Sequence, residues 1–338
     1  MKKKFVKSIT LLLILTLAML TLTACGQDSQ NTAAEDSPAY DIVCVDYVTY
    51  DWCKALLGDN PAGIELELIN DGSTDMHSFQ PSVKDIAKLK NASVVIYTGG
   101  ESEQWVTDAL NDNSDAADTT VLNLFDLFLS SDFADDYEDN DDEHIWSSPT
   151  LAKYFTSLIF AVISEKLIDK NSSMYEENTE YYSETFGEYS SELDKLIDAF
   201  NALEVTKPIV LADRNPFNYL FEDCGIDCQA AFDGCSAETE ASFECIIGLA
   251  NVMDDNHLSC ILYLDNGKEE VPELVKSVLG ATESGENSSA DRVPLYSMDS
   301  VLPESIPTDT GAYMGSEYLS AMWYNYDAIS YALLNVWN

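Results

Sequence analysis

The stretch "SVKDIAKLKNASVVIYTGG", residues 82–100, decides the fold class. Its first half has the residue pattern of a short helix. Its second half, from Ala92 to Tyr97, is a mainly apolar run that predicts a strand ending at Gly99-Gly100. A helix that leads straight into a buried strand is half of a βαβ unit, so this stretch predicts a parallel sheet.

The same alternation extends in both directions from this stretch. Strands are predicted at "YDIVCVD", "GIELELIN" and "TTVLNLFDL" in the first half and at "KPIVLADR", "CQAAFDGC", "LSCILYLDNG" and "VPLYSMDSV" in the second. Between the halves lies a nearly continuous helical segment, of which 173–203 would be about 45 Å long. We therefore predict an α/β fold of two open lobes with mainly parallel sheets, joined by one long helix, with a ligand cleft between the lobes.

The N-terminus has the pattern of an export signal. A basic start is followed by an apolar run from Ile9 to about Leu22 and by Leu22-Thr23-Ala24-Cys25. This ending resembles a bacterial lipoprotein signal, cleaved before Cys25, which then carries lipid; a plain cleaved signal with a chance Cys is the alternative. We expect a signal peptide, a flexible tether, an N-terminal α/β lobe, a connecting helix and a C-terminal α/β lobe, at 1–24, 25–38, 39–165, 166–204 and 205–338.

Composition excludes one class of partner and constrains the cysteines. The formal net charge is −43, whereas a nucleic-acid binder needs clustered positive charge. Without Cys25, seven of the eight cysteines remain. Export permits disulfides, and the odd number leaves at least one thiol free or paired outside the chain. Five of the seven lie between 224 and 260, so any bridge is expected there.

Three polar side chains follow predicted strands or precede predicted helices. His77 follows "IELELIN", His144 precedes "SPTLAKYF", and Asp299 ends "PLYSM". Two imidazoles and a carboxylate are suitable ligands for a borderline divalent cation. His257, the third histidine, stands at a predicted helix end without such neighbours, and we interpret it as a surface or helix C-terminal residue.

Motifs over most of the chain give this pattern a family. The segments "DMHSFQPSVKDIAKLKNASVVIYTGGESEQW", "DEHIWSSPTLAKYF", "NPFNYLFEDCGI" and "YSMDS" resemble, in order, the zinc/manganese solute-binding lipoproteins of bacterial ABC importers, the cluster A-I or cluster 9 proteins. The resemblance implies two lobes joined by a long helix and a metal ion between them, with His77, His144 and Asp299 as ligands.

The resemblance also implies a function and a location. The chain would capture Zn²⁺, or alternatively Mn²⁺, at the outer face of the cytoplasmic membrane, to which Cys25 anchors it. It would pass the ion to the permease subunits of an ABC importer, act as a monomer and catalyse no reaction. A zinc hydrolase is the enzyme alternative, but the sequence has no HExxH motif to support it.

The sequence departs from the family pattern at one ligand. The position of the family's third ligand is occupied by Arg214, whose guanidinium stays charged and cannot bind a metal ion. Asp213, Glu238 and Glu240 are candidates for the vacant role, and Glu240 is the preferred one. The same substitution leaves open a second hypothesis, in which the scaffold binds a chelated metal or another small ligand.

An acidic run precedes His144. Residues 132–143 contain eight acids among twelve residues. One hypothesis is that the run concentrates divalent cations and passes them to His144. The other is that it is a plain solvated loop, because blocks of like charge are commonly disordered.

Overall fold

A parallel sheet of four strands forms the centre of the N-terminal lobe. The computed structural model describes residues 40–72, 74, 76–111, 119–138, 140–233, 241–265, 272–285, 289–299 and 313–334. All of them belong to one compact unit, Pro38–Asn338. The strands are β1 (Tyr40–Cys44), β2 (Leu66–Leu68), β3 (Ala92–Tyr97) and β4 (Thr120–Asn123), in the spatial order β2-β1-β3-β4. All their pairings are parallel, and β3 is almost entirely buried, as its apolar run requires.

Four helices accompany this sheet: α1 (Tyr47–Leu57), α2 (Val83–Lys90), α3 (Gln104–Asn111) and α4 (Leu124–Leu129). The helix predicted after Ser82 begins there because the Ser82 and Asp85 side chains cap each other's backbone N–H groups. The strand predicted at "TTVLNLFDL" is only half correct. It ends at Asn123, whose side chain accepts from the Asp126 N–H and starts α4.

The C-terminal lobe repeats the topology. Its strands are β5 (Ile209–Asn215), β6 (Cys228–Asp233), β7 (Cys260–Leu264) and β8 (Asp291–Leu295), in the order β6-β5-β7-β8 and again all parallel. Its helices are α7 (Asn218–Cys224), α8 (Phe243–Asp255), α9 (Glu273–Ala281) and α10 (Glu317–Leu334), numbered after the two central helices given next. The two α/β lobes with parallel sheets that the sequence predicts are confirmed.

Two helices lie between the two sheets along the chain: α5 (Pro149–Val162), which continues into a π-helical turn (Ile163–Leu167), and α6 (Tyr175–Asn201), which connects the lobes. With 27 residues, α6 is about 40 Å long. Its side chains Tyr182, Tyr189 and Leu193 are fully buried, and the helix packs on α1, α5, α7 and α10. The long helix is therefore packed against other helices along its length and is not a solvent-exposed linker between the lobes.

One hydrophobic core runs through both lobes. It includes Trp52, Phe155, Leu193, Leu211 and Tyr318, which come from α1, α5, α6, β5 and α10. Two smaller clusters cover the outer faces, one under α2 and α3 and the other under α8 and α9. Because the inner faces of both sheets share a continuous core, the lobes are packed as one body and are not loosely hinged domains.

No disulfide links any two of the six cysteines in the described part of the chain, Cys44, Cys53, Cys224, Cys228, Cys245 and Cys260. The bridge expected between 224 and 260 is therefore absent from these residues, and Cys235 lies outside them. Among the described helices, none is both long and apolar enough to cross a bilayer.

Candidate metal centre

Two imidazoles face each other at the carboxyl end of the N-terminal sheet. His77 lies on a 3₁₀ turn (Met76–Ser78) after β2, and His144 immediately precedes another (Ile145–Ser147) before α5. Their Nε2 atoms are 3.3 Å apart, and His144 is almost completely buried. Two nitrogens bound to one tetrahedral Zn²⁺ at about 2.0–2.1 Å would lie about 3.3 Å apart. The pair is therefore spaced as two ligands of one ion.

The other nitrogen of each ring is already engaged. His144 Nδ1 lies 2.6 Å from Asp142 Oδ1, and His77 Nδ1 lies 2.8 Å from Ser102 Oγ. Burial raises the pKa of Asp142, but the hydrogen bond and charge of His144 outweigh burial, and the pKa lies below its ordinary value. Asp142 is therefore a carboxylate that accepts from His144, and outer partners of this kind orient metal-binding imidazoles.

Asp299 is the candidate ligand from the C-terminal lobe. It follows β8, and its Oδ1 lies 3.7 Å from His144 Nε2. That oxygen is buried and has no hydrogen-bond partner among the described residues. The preceding residue, Met298, has φ +67°, a left-handed conformation that non-glycine residues seldom adopt. The structure thus holds a buried carboxylate oxygen beside the His144 imidazole, and such an oxygen is costly unless a cation or donor meets it.

A cross-lobe contact links the loops that carry these groups. Trp146 follows His144 by two residues, and its Nε1 donates to the Ser297 carbonyl at 2.7 Å, two residues before Asp299. The Tyr318 hydroxyl of α10 donates to the Trp146 carbonyl at 2.8 Å. Both Trp146 and Tyr318 are buried, so the two loops are held close in the shared core.

The remaining candidates lie in different places. Asp213 and Arg214 are half-buried on β5, and Asp213 Oδ1 accepts from the Arg214 N–H. The pKa of Asp213 is raised mainly by burial; its contacts with Arg214 oppose this, and the charge of Asp299 adds to it. Glu238 and Glu240 lie outside the described residues. His257 is exposed just after α8, away from any helix interior.

The candidate ligands do not form a complete set. Among the described residues, no group of three or more His, Cys, Asp or Glu side chains is gathered closely enough to hold a metal ion. His144 Nε2 lies 3.3 Å from His77 Nε2 and 3.7 Å from Asp299 Oδ1, so His144 is the residue that the other two candidates share. A full ligand set therefore needs a small inward movement or a further ligand.

The acidic run is not uniformly solvated. Asp132–Asp136 forms a 3₁₀ turn with mostly exposed acids. In contrast, Asp142 and Glu143 at the other end are 7% and 5% exposed and lie against the two imidazoles. Neither of these two acids nor Ser102 was predicted from the sequence as a site residue. Only the position of Asp142, two residues before a candidate ligand, could have indicated its role.

The comparison with known families decides the relationship. The profile of the family described as "ZnuA: Zinc-uptake complex component A periplasmic" matches residues 42–332. The chain belongs to this family. The resemblance to zinc/manganese solute-binding lipoproteins is thereby confirmed.

Individual relatives are distant but extensive. The "Zinc-binding lipoprotein AdcA" of Streptococcus pneumoniae is 24% identical over 330 residues, which cover 94% of this chain and 60% of AdcA, so the chain spans about 60% of that relative's length. The "Manganese ABC transporter substrate-binding lipoprotein PsaA" of the same species is 25% identical over 345 residues, 97% of this chain and 99% of PsaA. The crystal structure of the "Metal-dependent Lipoprotein YcdH" of Bacillus subtilis has a TM-score of 0.64 at 23% identity, covering 87% of this chain and 100% of YcdH, and shows the same fold.

Proposed function

We propose that this protein captures a divalent metal ion outside the cytoplasmic membrane and delivers it to the transmembrane subunits of an ABC importer. The observation that carries the proposal is the mutual approach of His77 Nε2 and His144 Nε2 at 3.3 Å, with both Nδ1 atoms engaged elsewhere. This spacing is the one that two nitrogen ligands of a single tetrahedral ion would have. The names of the relatives AdcA and PsaA, which specify zinc and manganese, support the same conclusion.

The proposed ligands are His77, His144 and Asp299, with Glu240 completing the set. Asp299 supplies a buried oxygen that lacks a partner among the described residues. Asp213 is the alternative fourth ligand because it is close enough to Asp299 for the charge of Asp299 to raise its pKa. Its carboxylate, however, already accepts the Arg214 N–H. Glu238 is the remaining alternative. Arg214 contributes charge to the cleft and not a bond to the ion.

Zn²⁺ is the proposed cargo, and Mn²⁺ is the alternative. Imidazole nitrogens favour zinc, whereas carboxylate oxygens also suit manganese, so a set of two imidazoles and two carboxylates accepts either ion. The hypothesis of a chelated metal rests on Arg214 alone, and the relatives named above are named for the metals themselves. We infer transport rather than catalysis, because the named relatives are metal-binding lipoproteins, one of them the substrate-binding component of an ABC transporter.

The anchor and the boundaries belong to the same proposal. We infer a signal peptide at 1–24, a lipidated Cys25 and a tether over 25–38 that holds a monomer at the outer membrane face. The lobes 39–165 and 205–338 flank the connecting segment 166–204. Because both lobes share one core, release of the ion is proposed to involve the loops that carry the ligands more than a wide opening of the lobes.

The test is metal content and affinity of the purified mature chain, 25–338, with Cys25 replaced by Ser to keep it soluble. Competition titration with a zinc chelator should give one tight site per chain. Replacing His77 by Ala should abolish that tight site, and His257→Ala, the matched change at an exposed imidazole, should preserve it. Equal zinc affinity in wild type and His77→Ala would refute the proposed site.

A further inference from the structure

We infer that Asp223, on α7 of the C-terminal lobe, is a positioning residue for residues 140–148, the His144 loop, and that this loop must open before an ion enters or leaves. The inference rests on the proposed metal-binding function and adds to it the step that sets the exchange rates. A carboxylate outside the metal centre thus controls how fast the ion is exchanged and not how tightly it is bound.

Asp223 holds the chain on both sides of His144. Its Oδ2 accepts from the Ser148 hydroxyl at 2.5 Å, at the last residue of the His144 loop. Its Oδ1 accepts from the Tyr137 hydroxyl at 2.9 Å, three residues before the loop begins. The Ser148 side chain also accepts the Leu151 N–H and so starts α5, and the loop is fixed at its junction with that helix. One carboxylate therefore holds both ends of the segment that carries His144.

The same helix of the C-terminal lobe holds the middle of the loop. The Asn218 side chain donates to Asp142 Oδ2 at 2.7 Å, and the Tyr219 hydroxyl donates to the Asp142 carbonyl at 2.6 Å. Toward its own lobe, the loop accepts the Ser102 N–H at 2.9 Å through Glu143 Oε1. A loop that comes from the N-terminal lobe is thus held largely by α7. Each of the other contacts from α7 holds one residue, whereas Asp223 holds two.

The candidate ligands are too buried for an ion to reach them while the loop is closed. His144 is 1% exposed, and the side chains of Asp299 and His77 are 8% and 16% exposed. The loop residues 142–148 are all buried. An ion therefore reaches His144 Nε2 only when the loop moves, and the contacts that hold the loop determine how often this happens.

A loop that opens rarely controls the exchange rates without controlling the affinity. Loss of the Asp223 contacts destabilises the closed loop equally with and without the ion, so zinc association and zinc dissociation should become faster by the same factor. We expect a factor of about 10–100, because two hydrogen bonds are lost. The dissociation constant, which is the ratio of the two rate constants, should stay nearly unchanged.

The test combines two measurements on the soluble chain 25–338. Amide hydrogen exchange of the metal-free protein, read by mass spectrometry, detects opening of the loop directly. Asp223→Ala should raise the exchange rate of residues 140–148 by about 10- to 100-fold and leave α6 unchanged. Stopped-flow mixing then measures zinc association and dissociation. Asp223→Asn keeps the side-chain volume and one acceptor oxygen, and it should recover most of the wild-type behaviour in both measurements.

Matched variants separate positioning from general damage. Tyr137→Phe removes one of the two hydroxyls and leaves α7 intact, so it serves even if Asp223→Ala does not fold. It should raise both zinc rate constants by a smaller factor and have no further effect when combined with Asp223→Ala. Asp227→Ala, at an exposed acid just after α7, is the matched control and should change neither measurement.

Each result decides a different part of the inference. Unchanged hydrogen exchange of residues 140–148 in Asp223→Ala would overturn the positioning role. Unchanged zinc rate constants, or faster dissociation without faster association, would show that the ion does not pass through the open loop. A wild-type chain that binds no zinc would reject the proposed function, whereas faster hydrogen exchange of residues 140–148 in Asp223→Ala would still uphold the positioning role.

Discussion

The two lobes share one sheet topology but bring different side chains to the candidate metal centre. The N-terminal lobe, with order β2-β1-β3-β4, supplies two imidazoles whose outer nitrogens are held by Asp142 and Ser102. The C-terminal lobe, with order β6-β5-β7-β8, supplies Asp299, whose Oδ1 has no hydrogen-bond partner among the described residues. One half of the candidate centre, the organised half, is therefore held by hydrogen bonds within the protein, whereas the other half presents a buried oxygen without a hydrogen-bond partner among the described residues.

Under the proposed function, this difference would let one site both select and release an ion. Ligands fixed by hydrogen bonds lose little entropy on binding, so the imidazole pair sets the geometry that the ion must fit. A carboxylate without a partner is destabilising when the site is empty, and this cost is relieved by the cation. The C-terminal half is thus the part whose interactions depend most on whether the ion is present.

The largest effect is expected at the organised half. His144→Ala removes a buried nitrogen that is near both His77 and Asp299. Loss of a residue that only supports a metal ligand lowers affinity by about 100-fold at most, so loss of the ligand itself should lower zinc affinity by more than about 100-fold. Competition titration measures the loss, and circular dichroism checks the fold. His257→Ala is the control and should leave affinity unchanged. A fall of less than about tenfold would show that the imidazole pair does not bind the ion directly.

Asp299→Asn should separate binding from stability. Zinc affinity should fall at least about tenfold because the amide is a poorer ligand than a carboxylate. The metal-free protein should become more stable, by about 1–3 kcal/mol, because a buried oxygen without a partner loses its charge. Urea unfolding of the metal-free chain measures this gain. A metal-free variant that is less stable than wild type would contradict the contrast between the two halves.

The fourth ligand is the next test. Glu240→Gln should lower zinc affinity several-fold to about tenfold, with little change in the association rate, because a ligand acts after the ion has arrived. Asp213→Asn should have a smaller effect because its carboxylate already accepts the Arg214 N–H. Glu238→Gln tests the remaining alternative, and Glu244→Gln, at an exposed acid in the first turn of α8, is the matched control for charge. The reverse ranking would transfer the role to Asp213.

The sequence predicted the parts of the centre that local patterns encode. Strand ends and helix starts identified His77, His144 and Asp299 as loop residues, and the repeated alternation identified two parallel sheets. The roles of Asp142 and Glu143 could not be predicted, because a run of acids usually means solvation and their burial depends on Asn218 and Gly100, distant in sequence. The end of β4 was also missed, because apolar Phe125 and Phe128 suit a helix as well as a strand.

A buried acid behind the organised half should give a pH-dependent stability. Glu103 is buried, and its Oε2 accepts the Gly99 N–H at 2.8 Å. Burial, with the charges of Asp46 and Glu143, raises its pKa well above the ordinary value. A raised pKa favours folding at low pH. This stabilisation is lost as the pH rises from the unfolded-state pKa through the folded-state pKa, by about 1.4 kcal/mol for each pH unit between the two.

The comparison of Glu103→Gln with wild type isolates this contribution. Unfolding free energies measured from about pH 5 to about pH 8 should fall with rising pH more steeply in wild type than in the variant. Glu101→Gln, at an exposed acid two residues away, should follow the wild-type slope. Parallel slopes for Glu103→Gln and wild type would show that Glu103 is ionised in the folded protein throughout this range.

The smallest effect is expected from the exposed end of the acidic run, which distinguishes steering from positioning within one segment. Asp132, Asp135 and Asp136 are exposed on the 3₁₀ turn, whereas Asp142 and Glu143 are buried beside the ligands. Replacing the three exposed acids by Asn should slow zinc association only a few-fold and flatten its dependence on salt, because such charges act over about 8–10 Å in physiological salt. The dissociation rate should stay unchanged.

The matched control places the same charge change at Glu176, Glu177 and Glu180, the exposed acids at the start of α6, and should alter association less. Stopped-flow binding at several salt concentrations measures both rates. A faster dissociation in the Asp132, Asp135 and Asp136 variant would mean that these exposed acids also act on the bound ion and do not only steer it.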